Sequence, residues 1–396
     1  MSLVSSASAS LRDEIVAEIE ARGPMSFSRF MELCLYHPRH GYYTRGLGGG
    51  GGRDYLTSSG THRAFGILLA RQAEEMWLRA GRPDRFDFVE FGPGEGQFAA
   101  DFVGEAARLG GFARALRYLL VERSPALVAR QQARLLGRTP LLLDWVREED
   151  LEEHREIVGC LFANEVLDAF PVHRVIGSPG GPREVHLSAR GRKLVEVLLP
   201  AARETVGRFL DEAGVVLEDG QEADLNLDAP AWIDRAVRLL QRGYVVIIDY
   251  GHEAPGLYHP ARRRGTLLAY HRHRVSEEFL RRPGEQDLTA HLDFTALRRA
   301  AEQAGARCLG LTTQARFLLS LGALELLHDL PGAGAPSAGE GARSLLDRLR
   351  EREALKELIL PDRLGDRFRV LVLSVGDLPE GLTGLQPPWA RCSAGE

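Results

Sequence analysis

Three glycines recur at every second position in Gly92-Pro93-Gly94-Glu95-Gly96, directly after Phe86-Asp87-Phe88-Val89-Glu90-Phe91. Glycine tolerates positive φ without steric cost and lets a ligand approach the backbone closely. Apolar residues at helical spacing follow (Phe98, Phe102, Val103, Ala106), so the stretch reads as strand, tight turn and helix N-terminus. Free N–H groups at such a terminus favour an anionic group. A second constellation is Asn164-Glu165-Val166-Leu167-Asp168, an amide and two carboxylates just past the buried-looking run Ile157 to Ala163. Carboxylates so placed can hold a cation by charged hydrogen bonds, or take up a proton.

Other polar groups fall at the ends of expected strands. Glu122 follows Leu119-Leu120-Val121, where a carboxylate can accept both hydroxyls of a ribose. Asp144 can accept from an adenine amino group while Trp145 offers a ring face. Asp249-Tyr250 closes a β-branched run. Open α/β sheets bind ligands at these carboxyl ends. One bidentate acceptor and one amine acceptor beside an apolar slot are what an adenosyl group needs. A nicotinamide cofactor is disfavoured: in the fingerprint G-x-G-x-x-G the third glycine position is held here by Gln97.

The elements that position these groups alternate. The expected strands are Phe86–Phe91, Leu116–Val121, Thr139–Leu143, Ile157–Ala163 and Tyr244–Ile248, with helices between them. Repeated βα units imply a mostly parallel sheet covered on both faces. Cys308–Leu311 and Phe368–Val375 read as further strands, and Phe294–Ala304 and Phe317–Leu330 as helices. Ahead of the sheet come helices capped by Ser10 and Ser26, a five-glycine run at 48–52 that reads as a mobile loop, and a helix from about Thr61 to Arg79. After Pro171 the rhythm breaks, and Val172–Ile176, Glu184–Leu187 and Leu194–Leu199 look like antiparallel strands. The expected division is therefore an N-terminal helical cap over 1–82, a core over 83–171 and 243–375, an insertion over 172–242 and an irregular tail over 376–396.

A net charge of −5 over 396 residues gives no reason to expect nucleic acid as a partner. No apolar run approaches the roughly 20 residues that a membrane-spanning helix needs. The four cysteines, Cys34, Cys160, Cys308 and Cys392, lie far apart and form no C-x-x-C. Residues 1–14 match neither a secretory nor a transit pattern. A cytoplasmic protein with reduced thiols is expected. The histidines at 252, 259, 271, 273 and 291 match no familiar ligand spacing, so no metal is expected.

The pattern Glu90-x-Gly92-x-Gly94-x-Gly96 resembles motif I of class I S-adenosylmethionine-dependent methyltransferases. Further blocks resemble the MidA-like methyltransferases: Leu35-Tyr36-His37-Pro38-x-His40-Gly41-Tyr42-Tyr43, Phe91 to Gly96, Asn164-Glu165-x-x-Asp168-Ala169-x-Pro171, Asp249-Tyr250-Gly251, Asp287 to Phe294 and Thr313-Gln314-x-x-Phe317-Leu318. They occur in family order from about residue 26 to 375. The chain departs from the family at Arg53-Asp54-Tyr55, where Gly-Asp-Phe is common.

The resemblance implies a Rossmann-like class I fold and S-adenosyl-L-methionine as cofactor. The cofactor-binding residues are then expected to be Glu90, Gly92, Gly94, Gly96, Glu122, Asp144, Trp145 and Asn164. The family includes a mitochondrial complex I assembly factor that methylates an arginine of a complex I subunit, which implies a protein arginine as acceptor. A guanidinium is cationic at any ordinary pH and has to approach a second cation. Glu165 and Asp168, with Asn164, are the expected catalytic groups that offset this repulsion, with Asp249 in reserve. The partners expected are a protein substrate and a second copy of the chain. The alternative is a non-catalytic assembly protein that retains the cofactor fold.

Overall fold

In the computed structural model, residues 10–47, 58–154, 157–330 and 342–388 are described. The glycine run 48–52, Arg53-Asp54-Tyr55 and 331–341 lie outside them. The chain forms two compact units: 1–48, 168–230 and 252–296 make the first, and 49–167, 231–251 and 297–396 the second.

The second unit is built on one sheet. Its strands are β1 (Phe86–Phe91), β2 (Leu116–Val121), β3 (Leu142–Val146), β4 (Ile157–Asn164), β5 (Leu240–His252), β6 (Arg307–Thr313) and β7 (Phe368–Val375). They lie in the order β6-β7-β5-β4-β1-β2-β3. The pairs β1–β2, β2–β3, β1–β4 and β4–β5 are parallel. β7 runs antiparallel to both β5 and β6. From β1 the chain winds out through β2 to β3, then returns to β4 on the other side. That reversal puts the topological switch point between β1 and β4, where open α/β sheets bind ligands.

The central parallel strands are buried on both faces because helices cover both. All six residues of β1 are buried, as are Tyr244 to Asp249 of β5. One face carries an aromatic cluster. Phe88 packs on Phe102 with ring centroids 4.3 Å apart, and Phe98 stacks on Phe162 at 4.7 Å. The helix Ala64–Arg79 brings Phe65 against Phe98 at 5.6 Å. This helix therefore belongs to the sheet unit, whereas the sequence reading assigns it to an N-terminal cap. Its stripe of Phe65, Leu68, Leu69, Ala73 and Met76 is long enough to need a core of its own, and the β1 face supplies it.

The first unit joins the N-terminal helices to the inserted strands. Ser10 caps Leu11–Arg22 through a capping box with Asp13, and Ser26 caps Phe27–Tyr36. The strands Met25–Ser26, Arg183–Arg190, His173–Ile176 and Glu222–Leu225 lie side by side in that order, with Lys193–Pro200 paired to Arg183–Arg190. Ile15, Phe27, Phe30, Met31, Val172 and Leu187 form its core. Residues 252–296, expected in the methyltransferase core, also fall in this unit, where Leu268–His271 pairs with Arg274–Ser276 and Asp287–Thr289.

Candidate active site

At the carboxyl end of β1 the backbone turns through Gly92, Gly94 and Gly96, with φ of 60°, 53° and 75°. This is the left-handed region that only glycine enters freely. Gly92 N–H still donates to Val121 O (3.1 Å), and Gly96 N–H closes the turn on Pro93 O (2.8 Å) before the helix Gln97–Ala106 begins. No atom lies within 4 Å of where a Cβ on Gly94 would stand, so space lies over the middle of the turn. Behind it the turn rests on the helix Pro125–Leu135, whose Arg130 and Arg134 pair with Glu95 at 3.2 and 3.8 Å.

Glu90, two residues before the first glycine, is buried and accepts from the Tyr118 hydroxyl at 2.6 Å. Burial pushes its carboxyl up to about 8, and the nearby charge of Glu122 adds to the rise. Glu122 follows β2 as expected. Its Oε1 accepts from Ser124 N–H (2.8 Å) and its Oε2 from Gln131 Nε2 (3.3 Å). Burial raises its pKa as well. Each oxygen keeps lone-pair capacity for a further donor, as a ribose acceptor requires.

Asp144 and Trp145 divide. The strand expected to stop at Leu143 runs on to Val146, so Asp144 is mid-strand, level with Leu119, and Trp145 is level with Leu120. Successive side chains on a strand point to opposite faces. Trp145 takes the face of Tyr118 and Leu120, and its Nε1 donates to Gln131 Oε1 (3.0 Å). Asp144 takes the other face, more than half exposed, in an ion pair with Arg117 at 3.2 Å. This corrects the assignment of Asp144 as an adenine acceptor: a slip of the strand end turns it away from the residues around Gln131.

At the end of β4, Asn164 and Glu165 meet two residues distant in sequence. Glu165 N–H donates to Ile248 O (2.9 Å), yet its own φ is +53°. A left-handed glutamate is strained, and such strain gathers at functional sites. Its Oε1 accepts from Asn164 Nδ2 (3.1 Å) and Ser58 N–H (2.9 Å). Ser58 Oγ in turn donates to Gln314 Oε1 (2.8 Å), and Gln314 Nε2 to Leu358 O (3.2 Å). Asn164 Oδ1 is buried with no hydrogen-bond partner among the described residues. Asp249 is fully buried; its Oδ2 accepts from Leu167 N–H (3.1 Å) and its Oδ1 from Tyr250 N–H (2.8 Å). It anchors the backbone after β4. Asp168 is the first residue of the other unit's second segment, buried, with Ala290 N–H donating to its carbonyl at 3.0 Å.

Sequence reasoning missed Gln131, Ser58 and Tyr118. Gln131 carried a signal: it stands between Leu127 and Leu135 at helical spacing, a polar residue on a buried stripe. Ser58 carried none.

The residues present suit an adenosyl cofactor. The turn leaves open space at Gly94, Glu122 offers an oriented carboxylate, and Asn164 Oδ1 is an unspent acceptor. No group of three or more His, Cys, Asp or Glu among the described residues is placed to hold a metal ion.

Comparison with known proteins agrees. A family profile described as S-adenosyl-L-methionine-dependent methyltransferase matches residues 68–312. The mouse protein named "Protein arginine methyltransferase NDUFAF7, mitochondrial" is 29% identical over 387 residues, covering 91% of this chain and 83% of its own. The protein of the same name from Danio rerio is 26% identical over 389 residues, covering 92% and 87%. A crystal structure of a Burkholderia thailandensis protein bound to S-adenosyl-homocysteine superposes with a TM-score of 0.82 at 32% identity, covering 96% of this chain and 94% of that one. The curated relatives' names place them in mitochondria, which overturns the cytoplasmic expectation. Cysteines far apart in sequence do not distinguish among compartments that keep thiols reduced. With a Rossmann-like sheet, a glycine turn at its switch point and a family match across most of the chain, this protein belongs to the S-adenosyl-L-methionine-dependent methyltransferases.

Proposed function

We propose that the methyl group goes to the guanidinium of an arginine in a protein. The observation that carries this reading is Glu165: a carboxylate on strained backbone at the switch-point end of β4, beside an unspent amide oxygen. The names of the curated relatives support the same acceptor. S-adenosyl-L-methionine, when bound, supplies an electrophilic methyl group on a sulfonium. The glycine turn and Glu122 hold the cofactor, and Asn164 Oδ1 accepts from a ligand N–H. Glu165 offsets the charge of the incoming guanidinium and holds its planar group. The nitrogen that gains the methyl must lose a proton, and the same carboxylate is the nearby base. Orientation of this kind can supply about 7–11 kcal/mol of the barrier. Asp168 is the further carboxylate proposed for catalysis. Its support is the family resemblance. A protein substrate is the partner proposed, with no nucleic acid and no membrane involved, and with a homodimer as the assembly.

The test is methyl transfer from radiolabelled S-adenosyl-L-methionine into protein extract, followed by acid hydrolysis and amino-acid analysis. Label recovered as methylarginine is expected. Label in lysine, in base-labile carboxyl esters or only in small molecules would reject the arginine acceptor.

A further inference from the structure

We infer that Gln131 is a positioning residue that sets the cofactor site through its single side-chain amide. The residue is fully buried on the helix Pro125–Leu135. Its Nε2 donates to the carbonyl of Gly94 at 2.7 Å and stands 3.3 Å from Glu122 Oε2. Its Oε1 accepts from Trp145 Nε1 at 3.0 Å. The orientation of the amide is unambiguous: an indole N–H can only donate and a carbonyl can only accept, so the two neighbours fix which end is which. One group thus joins the glycine turn, the carboxylate after β2 and the indole on β3.

Two consequences follow from the geometry. Drawing the Gly94 carbonyl toward the helix fixes the plane of the peptide that follows. The Glu95 N–H, trans to that carbonyl, then points the opposite way. The bond to Glu122 Oε2, with Ser124 N–H on Oε1, sets the plane of the carboxylate, so its remaining lone pairs face a fixed direction. Among the common side chains only asparagine carries the same amide, on a stem one methylene shorter. Glutamate lacks the donors, lysine lacks the acceptor, and histidine has one site on each of two distant atoms. The backbone is fitted to this side chain as well: a Cβ on Gly96 would stand 3.2 Å from Gln131 Cγ and 3.5 Å from its Cα.

The inference rests on the reading that Glu122 accepts the ribose hydroxyls, and a double-mutant cycle separates the two. S-adenosyl-homocysteine is titrated calorimetrically into the full-length wild type, Gln131→Met, Glu122→Ala and the double variant, with thermal melts to confirm folding. Gln131→Met is expected to weaken binding at least tenfold in the wild-type background and threefold or less when Glu122 is already alanine. The Trp145 indole N–H resonance should also move upfield in Gln131→Met, a change that a space-filling role would not produce. If Glu122→Ala binds as tightly as wild type, the ribose reading fails. If Glu122→Ala binds weakly but Gln131→Met does not, or the two losses simply multiply, the positioning role is overturned. Should Gln131→Met not fold, the near-isosteric Gln131→Glu serves in its place. It lacks the pair of donors that one nitrogen offers to Gly94 O and Glu122, so binding should weaken at least tenfold, and unchanged affinity would overturn the inference.

Discussion

The Tyr118 hydroxyl donates to Glu90 Oε2 across 2.6 Å, and both side chains are sealed from water. Burial raises the Glu90 carboxyl to about 8 from an ordinary value of 4.5, with Glu122 adding to the rise and the Tyr118 hydrogen bond opposing it. Between those two pH values the folded chain holds a proton that the unfolded chain has released. Stability from this group is fully present below about 4.5 and falls as pH rises toward 8, by about 1.4 kcal/mol per unit at most. Glu90→Gln should flatten that decline. Denaturant midpoints from pH 5 to 9 measure it, and parallel declines in the two proteins would count against a neutral Glu90.

Glu122→Ala should weaken cofactor binding at least tenfold. The carboxylate is placed to make one or two charged hydrogen bonds to the ligand, each worth about 1.5–3 kcal/mol. Calorimetric titration reads the change directly, and an unaltered Kd would remove Glu122 from the site.

Gly96→Ala should cost about 1–2 kcal/mol of stability from its left-handed backbone alone. A further loss comes from the methyl pressing on Gln131. Gly110 also has positive φ, at 45°, but a Cβ there would meet nothing within 4 Å, so Gly110→Ala isolates the backbone cost. Thermal melts should rank Gly96→Ala below Gly110→Ala, and cofactor affinity should drop only in the former.

Glu165→Gln keeps an oxygen to accept from Ser58 N–H and preserves the shape of the side chain, so stability should change by less than about 1 kcal/mol. Methyl transfer should nevertheless fall by about a hundredfold or more, because the amide neither offsets the acceptor's charge nor takes its proton. Initial rates at saturating cofactor test this. A variant with full turnover would mean that Glu165 serves only to hold Ser58.

Much of the core was legible because its signals are local. The strand Leu116–Val121 shows as a run broken only by Arg117, the caps at Ser10 and Ser26 as single residues before amphipathic stretches, and the glycine turn as a spacing. Where the signal was ambiguous the reading slipped. Leu141-Leu142-Leu143 offers no mark of where a strand ends, and a shift of three residues moved Asp144 from a site to a surface ion pair. The helix expected over Phe317–Leu330 is two, Gln314–Ser320 and Ala323–Asp329, broken at Gly322 where φ is 103°. The helix Ala342–Ile359 gives little signal because charged residues are spread around it; among its described side chains Leu355, Leu358 and Ile359 are the buried apolar ones. Ser58 reaches Glu165 across 107 residues of chain and Gln314 reaches Ser58 across 256, a kind of link that no window of sequence contains.

β7 lies between β5 and β6 although it follows both in the chain, pairing with β5 from Gly243↔Val375 to Tyr250↔Phe368. During synthesis the ribosome therefore delivers the two arms of the sheet long before the strand that joins them. Until residues 368–375 emerge, Val245 to Ile248 present a bare apolar edge of the kind that templates aggregation. Fragments ending before Phe368 are then not smaller versions of this enzyme but chains with an open seam. Their fate is set by chaperone capture and proteolysis, and the seam closes only when the last strand slides in from the far end of the chain.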